Sequence, residues 1–537
     1  MGWKSDLIER RKIYYEAGLY DGLTLSDAIR EGAVTRPNVQ MVFHSDTRPD
    51  VATLGDMHRK SVALAGCLQS LGLEPGDVVA IQVPNWLEGT LMFQAALALG
   101  VVVLPIIHIY GPSEVSFILR QSGARAFICP DRWRQIDYLE RLERLDRSAL
   151  PQLEHVIVVG DPAPDTMSWA ELVRREAPDF SPPPLHPDDV CLLVYTSGTT
   201  AEPKGVQHTH NTLLAEVRST RRTLDVVDAP VNLSAFPAGH IAGVLSTIRL
   251  FVHGGRTVLM DTWNASAAAR LVEEHRVTGT SGTPFHLATL LDAAEAGGYD
   301  LSSLQGYMSG AASVPPALIE RAEAVGLPTY RAYGSSEHPT ISSGSASDSV
   351  EQRATTDGPV LDGNEIRIID DDGHDLPVGQ AGEIVSRGPE LFVGYRDEDL
   401  NERSFLPGGW FLTGDIGVLD DAGYLRITDR KKDVIIRGGE NIASKEVEDI
   451  LIRHPAVQES AVVAMPDERY GERVCAFIIF REGQSLDLEG VRDHFQQVGV
   501  AKQKTPEHLV AVEDFPRTAA GKVKKFALRE KLRPPQE

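Results

Sequence analysis

Cysteine is scarce: Cys67, Cys129, Cys191 and Cys475 are the only four in 537 residues, and they stand far apart. That excludes a disulfide scaffold and the paired spacing of a zinc site, and it fits a reducing, cytoplasmic setting. Long apolar runs are missing as well. The most apolar stretch, 91–107, is shorter than a bilayer crossing and is broken by Gln94, Gly100 and Pro105, so it reads as a buried helix running into a buried strand, with no transmembrane segment. The opening MGWKSDLIERRKIYYEAG is charged and aromatic and lacks the apolar centre of an export signal. Positive charge is in deficit: 53 Lys and Arg against 76 Asp and Glu leave a formal charge of −23. Broad nucleic-acid binding, which needs a cationic face, is thereby disfavoured, although a local basic pocket is not. There is no internal repeat or low-complexity tract, and the absence of a heptad pattern leaves homo-oligomerisation open.

What is present is ordinary globular material, 42% hydrophobic and 24% charged, in a chain too long for one core. Strand-like runs alternate with helical patterns through the first three quarters, as in VVAIQV (78–83), GVVVLPI (100–106), ARAFIC (124–129) and HVIVVG (155–160). That alternation predicts parallel sheets covered by helices. After about residue 360 short strands dominate (EIRIID, GEIVSRG, GYLRITD), and from Asp433 a strand, a helix, two longer strands and a basic tail predict a small separate unit. The expected fold is α/β: a large N-terminal domain of parallel-sheet layers with a small β-rich subdomain, then a small mobile C-terminal α+β domain.

The most informative segment is VYTSGTTAEPKGVQHTH, residues 194–210, at the end of the apolar strand CLLVY. Hydroxyls, glycines and one lysine in a row suit a loop that wraps polyphosphate with backbone N–H groups, side-chain O–H groups and a cation. It is not a Walker A loop, because Lys204 precedes Gly205 and no Ser or Thr follows to hold magnesium.

This string resembles the phosphate loop of the adenylate-forming superfamily, which comprises acyl-CoA synthetases, peptide-synthetase adenylation domains and luciferases. The resemblance recurs in order along nearly the whole chain: AYGSSEHP (332–339), GWFLTGDIG (409–417), ITDRKKDVIIRGGENIASKEVE (427–448) and FPRTAAGKVKKFALRE (515–530). It implies an ATP-dependent acid:CoA ligase, with ATP, Mg2+ and coenzyme A as partners alongside a small carboxylic acid. In that reading Thr196, Ser197, Gly198, Thr199, Thr200 and Lys204 hold the β- and γ-phosphates. Glu337 coordinates magnesium together with Thr196, and Ser336 contacts the α-phosphate. Tyr333, with Gly334 and Ser335, offers a face to adenine beside Gly310, Ala311 and Ala312. Asp415 and Arg430 take the ribose. Lys522 reaches the oxygens that link the carboxylate to the α-phosphate. Lys432 is the hinge, so the resemblance divides the chain at 1–431 and 432–537, and Gly438 and Gly439 line a thiol channel after the small domain turns.

One segment departs from the pattern. In FPAGHIAG (236–243) an aromatic residue usually precedes the histidine, and here Gly239 takes its place. His240 is then expected as a wall or gate of the acid pocket, with bulk removed at the junction of the acid and thiol channels. The remaining pocket segments, GTPFHLATL (282–290), YMSGAAS (307–313) and YGSSEHP (333–339), contain no Lys or Arg. They predict a roomy apolar cavity for a medium or large monoacid, whether fatty, alicyclic, aromatic or sterol-derived, and with it a place in fatty-acid or lipid metabolism. Asp225 and Asp228 lie nearby without an assigned role. Two alternatives share the sequence features: an enzyme that loads a carrier protein, and a nucleotide-binding homologue that no longer turns over. Retention of Lys204, Glu337, Asp415 and Lys522 together favours an active enzyme. The lack of a carrier domain after Lys522 favours CoA.

Overall fold

The computed structural model describes residues 2–175, 180–196, 203–221, 230–518 and 521–532. Two largely parallel sheets form its body. Among the described residues the first runs, in spatial order, Ser342–Ser343, Thr329–Tyr333, Gly306–Ser309, Gly279–Gly282, Val231–Ser234, Arg256–Met260, Gln40–His44 and Asp50–Thr53, with only the two outermost strands antiparallel. The second runs Lys204–Thr209, Val190–Thr196, Val102–Pro105, Val78–Ile81, Ala126–Pro130, His155–Val159 and Met167–Ser168, and its first pair is antiparallel. In the second sheet the inner strands Val78–Ile81, Val102–Pro105 and Ala126–Pro130 are buried throughout and read as continuous apolar runs, as strands covered on both faces do.

The stretch 91–107 shows how composition becomes structure. Helix Leu87–Leu99 is buried along most of its length, Gly100 closes it at φ 78°, a left-handed conformation that glycine adopts without strain, and the chain enters Val102–Pro105 directly. No helix among the described residues is long and apolar enough to cross a membrane.

A third, antiparallel sheet contains Glu365–Ile369, Gly382–Arg387, Trp410–Leu419, Phe405–Leu406 and Leu425–Arg430. The chain then passes into a sheet of Glu440–Ile442, Ile435–Arg437, Gly471–Phe480 and Val457–Asp467, with His508–Ala511 parallel to Gly471–Phe480. Helices Ser444–Leu451 and Leu488–Val498 pack on it, and Val447, Val462, Val474 and Phe495 form a core separate from that of the large body. The architecture is thus the expected large α/β body with a β-rich part and a smaller C-terminal α+β unit.

What positions the site is strand polarity. Val190–Thr196, Val231–Ser234, Gly279–Gly282, Gly306–Ser309 and Thr329–Tyr333 each lead, at their carboxyl ends, into one of the segments singled out in the sequence. In open α/β sheets ligands bind at those strand ends.

Candidate active site

The phosphate-loop strand ends at Thr196, which pairs with Lys204 across the antiparallel hairpin. Ser197, Gly198, Thr199 and Thr200 lie outside the described residues, as do Asp225 and Asp228. Lys204 places its ammonium 5.1 Å from the centre of the Tyr395 ring. The Tyr395 hydroxyl donates to Glu337 Oε1 at 2.7 Å. Backbone bonds lock this arrangement: Arg396 N–H donates to Gly205 O at 2.7 Å and Phe392 N–H to Glu337 O at 2.8 Å. His208, fully buried and held neutral by burial at about 4, bonds through Nε2 to the Ser336 carbonyl at 2.8 Å. One short segment, 392–396, therefore ties the base of the phosphate loop to the carboxylate 58 residues earlier in the chain.

The turn that carries Glu337 is made by its own small residues. A Cβ on Gly334 would lie 1.9 Å from Pro339 O, so only glycine fits there. The Ser335 hydroxyl accepts the Glu337 and His338 N–H groups, both at 3.2 Å. Gly310 leaves similarly little space, its Cβ position being 2.8 Å from Ala332 O, and Ala311 is held at φ 61°. A non-glycine residue in that conformation carries steric strain, which the surrounding structure must offset.

Tyr333 does more than present a face. Its hydroxyl donates to Asp415 Oδ2 at 2.8 Å, while Asp415 Oδ1 is 3.2 Å from Arg430 Nε. Asp415 and Arg430 are directly opposed on neighbouring antiparallel strands. Burial opposes the Arg430 charge, yet Asp415, Asp433 and Glu337 together hold it above the ordinary arginine value.

Lys522 reaches this same cluster from the other end of the chain. Its loop is a turn closed by Thr518 N–H to Lys522 O at 2.7 Å and braced by Arg517, which donates to Gly521 O at 3.2 Å and pairs with Glu459. Gly521 sits against the large body: a Cβ there would lie 3.4 Å from Thr283 Oγ1. Burial, then Arg430, lower the Lys522 ammonium; Asp415 and Asp433 oppose the shift and Lys432 adds to it, leaving it at about 7. Burial and Arg430 likewise bring Lys432 to about 8.

The acid-side segments hold neutral rings. His240 accepts the Ala242 N–H through Nδ1 at 3.2 Å, capping helix Ile241–His253, and stacks on Phe236 with centroids 5.9 Å apart. Burial, with the Lys522 charge adding to it, pushes the imidazole down to about 4. His286, also at about 4 through burial, lies 4.6 Å from the Trp263 ring and 6.0 Å from that of Phe236.

The expectation of lost bulk at Gly239 needs correction. The position a Cβ would take lies 2.3 Å from Ile107 N and 2.5 Å from Ile106 C, so main chain fills the space on that side. Gly438 and Gly439 form the tip of the hairpin joining Ile435–Arg437 to Glu440–Ile442, both at positive φ, with Gly438 N–H donating to Tyr470 O at 2.8 Å. They are not part of the Lys522 cluster as the domains stand here.

Sequence reasoning missed Tyr395 and the part played by His208, and it named the segment that holds Thr283 without foreseeing that the Lys522 turn packs on it. Their importance comes from contacts across long separations, although a tyrosine between Gly394 and Arg396 after an apolar run was a signal that could have been weighed. Among the described residues the one cluster with metal-ligand spacing is Asp370, Asp372 and His374. It is a surface turn in which Asp370 Oδ1 accepts the Asp372 and His374 N–H groups, both at 2.9 Å.

A phosphate-loop strand end, a carboxylate–arginine pair and a lysine delivered by a separate C-terminal unit define an enzyme that joins a carboxylic acid to AMP. Residues 30–396 match the AMP-binding enzyme family and residues 446–522 the AMP-binding enzyme C-terminal domain, and the chain belongs to this family as an ATP-dependent, AMP-forming acyl-CoA ligase. It is 36% identical over 530 residues to the medium-chain fatty-acid–CoA ligase of Escherichia coli (strain K12), covering 98% of this chain and 93% of that one. It is 32% identical over 544 residues to the 2,3-dihydroxybenzoate–AMP ligase of Bacillus subtilis (strain 168), covering 99% and 97%. The crystal structure of the anthranilate CoA ligase AuaEII in complex with anthranoyl-AMP superposes with a TM-score of 0.86 at 25% identity, over 95% of this chain and 97% of that one.

Proposed function

We propose that this ligase activates an apolar, medium-to-large monocarboxylic acid, whether fatty, alicyclic, aromatic or sterol-derived, and transfers it to coenzyme A in the cytoplasm. The observation that carries the substrate class is the separation of charge. Cations gather on the nucleotide side, at Lys204, Arg430, Lys432 and Lys522, whereas His240 and His286 on the acid side are both held neutral at about 4. A second carboxylate or an α-amino group buried there would have no countercharge from these rings.

Attack of a carboxylate on the α-phosphate brings two anions together, so neutralising and orienting groups matter more than a base. Thr196 through Thr200 and Lys204 hold the β- and γ-phosphates, and Ser336 lies against the α-phosphate. Tyr333 and the Gly310, Ala311, Ala312 segment take adenine, and Asp415 accepts from the ribose hydroxyls with Arg430 beside it. The carboxylate oxygen bonds to phosphorus and pyrophosphate leaves. Lys522 donates to the oxygens at the junction of acid and phosphate, and anionic substrates restore the charge that burial disfavours. Glu337, held at one oxygen by Tyr395, and the Thr196 hydroxyl form a hard-oxygen set that fits Mg2+, which neutralises phosphate charge when bound. In the second half-reaction the small domain, 432–537, turns about Lys432. Lys522 is withdrawn, the Gly438–Gly439 hairpin is brought to the channel, and the CoA sulfur attacks the acyl carbonyl as AMP leaves.

The test is to incubate the protein with ATP, Mg2+ and a panel of acids, with and without CoA, following pyrophosphate, AMP and thioester. Acid-dependent pyrophosphate with matching acyl-CoA, highest for apolar monoacids, is expected. Preference for a short diacid or an amino acid would overturn the substrate class, and adenylate that never passes to CoA would indicate a carrier-protein acceptor. Lys522→Ala is expected to slow adenylate formation by about a hundredfold or more, as loss of a charge-stabilising donor does.

A further inference from the structure

Three residues before the proposed hinge stands Asp429, and three residues after the catalytic lysine stands Lys525. The structure joins them. Asp429 is the penultimate residue of strand Leu425–Arg430 of the large body and is only 6% exposed. Its carboxylate reaches the first residue of helix Ser444–Leu451 in the small unit, taking Ser444 N–H at Oδ2 and Ser444 Oγ–H at Oδ1, the latter at 3.1 Å. Neither neighbouring segment caps that helix, since Ala443 contributes no side-chain bond. The helix N-terminus is thus satisfied by a carboxylate from across the hinge.

Lys525 completes the arrangement. Its ammonium donates to Ser444 Oγ at 2.8 Å and lies 2.8 Å from Glu448 Oε1, one turn further along the same helix. Four residues on, Arg529 pairs with Asp433 immediately after the hinge. Lys525 opens the short helix Lys525–Glu530, which follows the turn carrying Lys522. The ammonium therefore fixes the Lys522 turn to helix Ser444–Leu451, and Asp429 fixes that helix to the large body.

We propose that Asp429 is a positioning residue for adenylation: through Ser444 and Lys525 it latches the small domain in the orientation that inserts Lys522, and it must release for thioester formation. This rests on the two-orientation ligase reading above. Within that reading Ser444, Glu448 and Lys525 travel together about Lys432, while Asp429 stays behind. Within this set of four side chains the Asp429–Ser444 hydrogen bonds are the ones that straddle the pivot, so breaking them disfavours one orientation while leaving the folded small domain intact. Burying a carboxylate so near an enclosed cation is favourable only while both stay engaged, which makes the latch a two-position element.

The half-reactions are measured separately on wild type, Asp429→Asn, Asp429→Ala, Ser444→Ala and Ser444→Thr. Single-turnover pyrophosphate release from ATP and acid without CoA reads adenylation, and release of AMP from supplied acyl-adenylate plus CoA reads transfer. Loss of a charge-assisted hydrogen bond, at the carboxylate in the Asp429 variants and at the hydroxyl in Ser444→Ala, predicts adenylation slower by about tenfold. Transfer should stay within about twofold of wild type, and Ser444→Thr, which keeps the hydroxyl, should retain adenylation. A parallel fall in both half-reactions would assign Asp429 a merely structural role, and no change in either would remove the latch. Wild type that releases no pyrophosphate with any acid would instead overturn the ligase reading itself, which separates the two failures.

Discussion

Lys522 carries a proton balance that can be read out. In the inserted position burial and the neighbouring Arg430 bring its ammonium to about 7, against an ordinary 10.5 when withdrawn into water. Below about pH 7 the group is charged in both positions and insertion bears the full cost of desolvating that charge. As pH rises from about 7 toward 10.5, insertion releases a proton and becomes steadily more favourable. The groups around it are Arg430, Asp415, Lys432, Asp433 and His240. Of these, Lys432 at about 8 contributes a slope of the same sign if it too is less buried in the withdrawn position. We expect the ligand-free protein to favour the inserted orientation more at pH 9 than at pH 6.5, measured by energy transfer between dyes placed on the two domains. Lys522→Met should flatten that dependence without abolishing it. An orientation that shifts the opposite way, or that is equally pH-dependent in the variant, would remove Lys522 as its source.

Among the elements, segment 392–396 shows what linear reading reaches and what it does not. The strand runs and the helix-to-strand passage through Gly100 were legible because each is fixed by local chemistry: apolar periodicity and a left-handed cap. The candidate residues Thr196, Glu337, Asp415 and Lys522 were legible because their motifs recur in a fixed order. Tyr395 was not, since its role exists only where its segment meets Gly205 and Val206, nearly two hundred residues earlier. Gly239 misled for a related reason: the missing side chain was visible, but the main chain of Ile106 and Ile107 that fills the space was not. Tyr395→Phe tests the element directly. It keeps the ring beneath Lys204 and removes only the bond to Glu337 Oε1, so the Mg2+ concentration for half-maximal adenylation should rise about tenfold, as when the supporting partner of a metal-binding group is lost. Transfer from preformed adenylate should be unaffected, and an unchanged Mg2+ dependence would count against Glu337 as the metal-holding carboxylate.

At the scale of the molecule, separate parts are held together at a charge cluster of two buried carboxylates, Glu216 and Glu390, and one partly exposed arginine, Arg249. Glu216, on helix His210–Ser219 behind the phosphate-loop hairpin, meets Arg249 and the Thr340 hydroxyl, the latter at 2.8 Å. Glu390, from the β-rich part, accepts from Ser219 Oγ and Asn364 Nδ2, both at 2.9 Å, and from Thr340 N–H at 3.2 Å. Thr340 lies just beyond Glu337, so these contacts brace the active-site turn from behind. Burial first, then the charge of Glu216, raise the Glu390 carboxyl from 4.5 to about 8, so it is protonated at neutral pH. Below about pH 4.5 the group holds its proton folded or unfolded and costs nothing. Between about 4.5 and 8 the unfolded chain releases the proton while the folded one retains it, and stability is lost progressively as pH rises. Glu390→Gln keeps the shape without the titration, and Glu216 Oε2, which has no hydrogen-bond partner, offers the new amide an acceptor in the same cluster. The variant should therefore gain on wild type steadily from pH 5 to pH 8, reaching a few degrees in melting temperature. Glu216→Gln should do the reverse, because it strips Arg249 of its buried partner. A melting difference for Glu390→Gln that is flat with pH, or gains that follow Glu216→Gln instead, would place the proton on the other carboxylate.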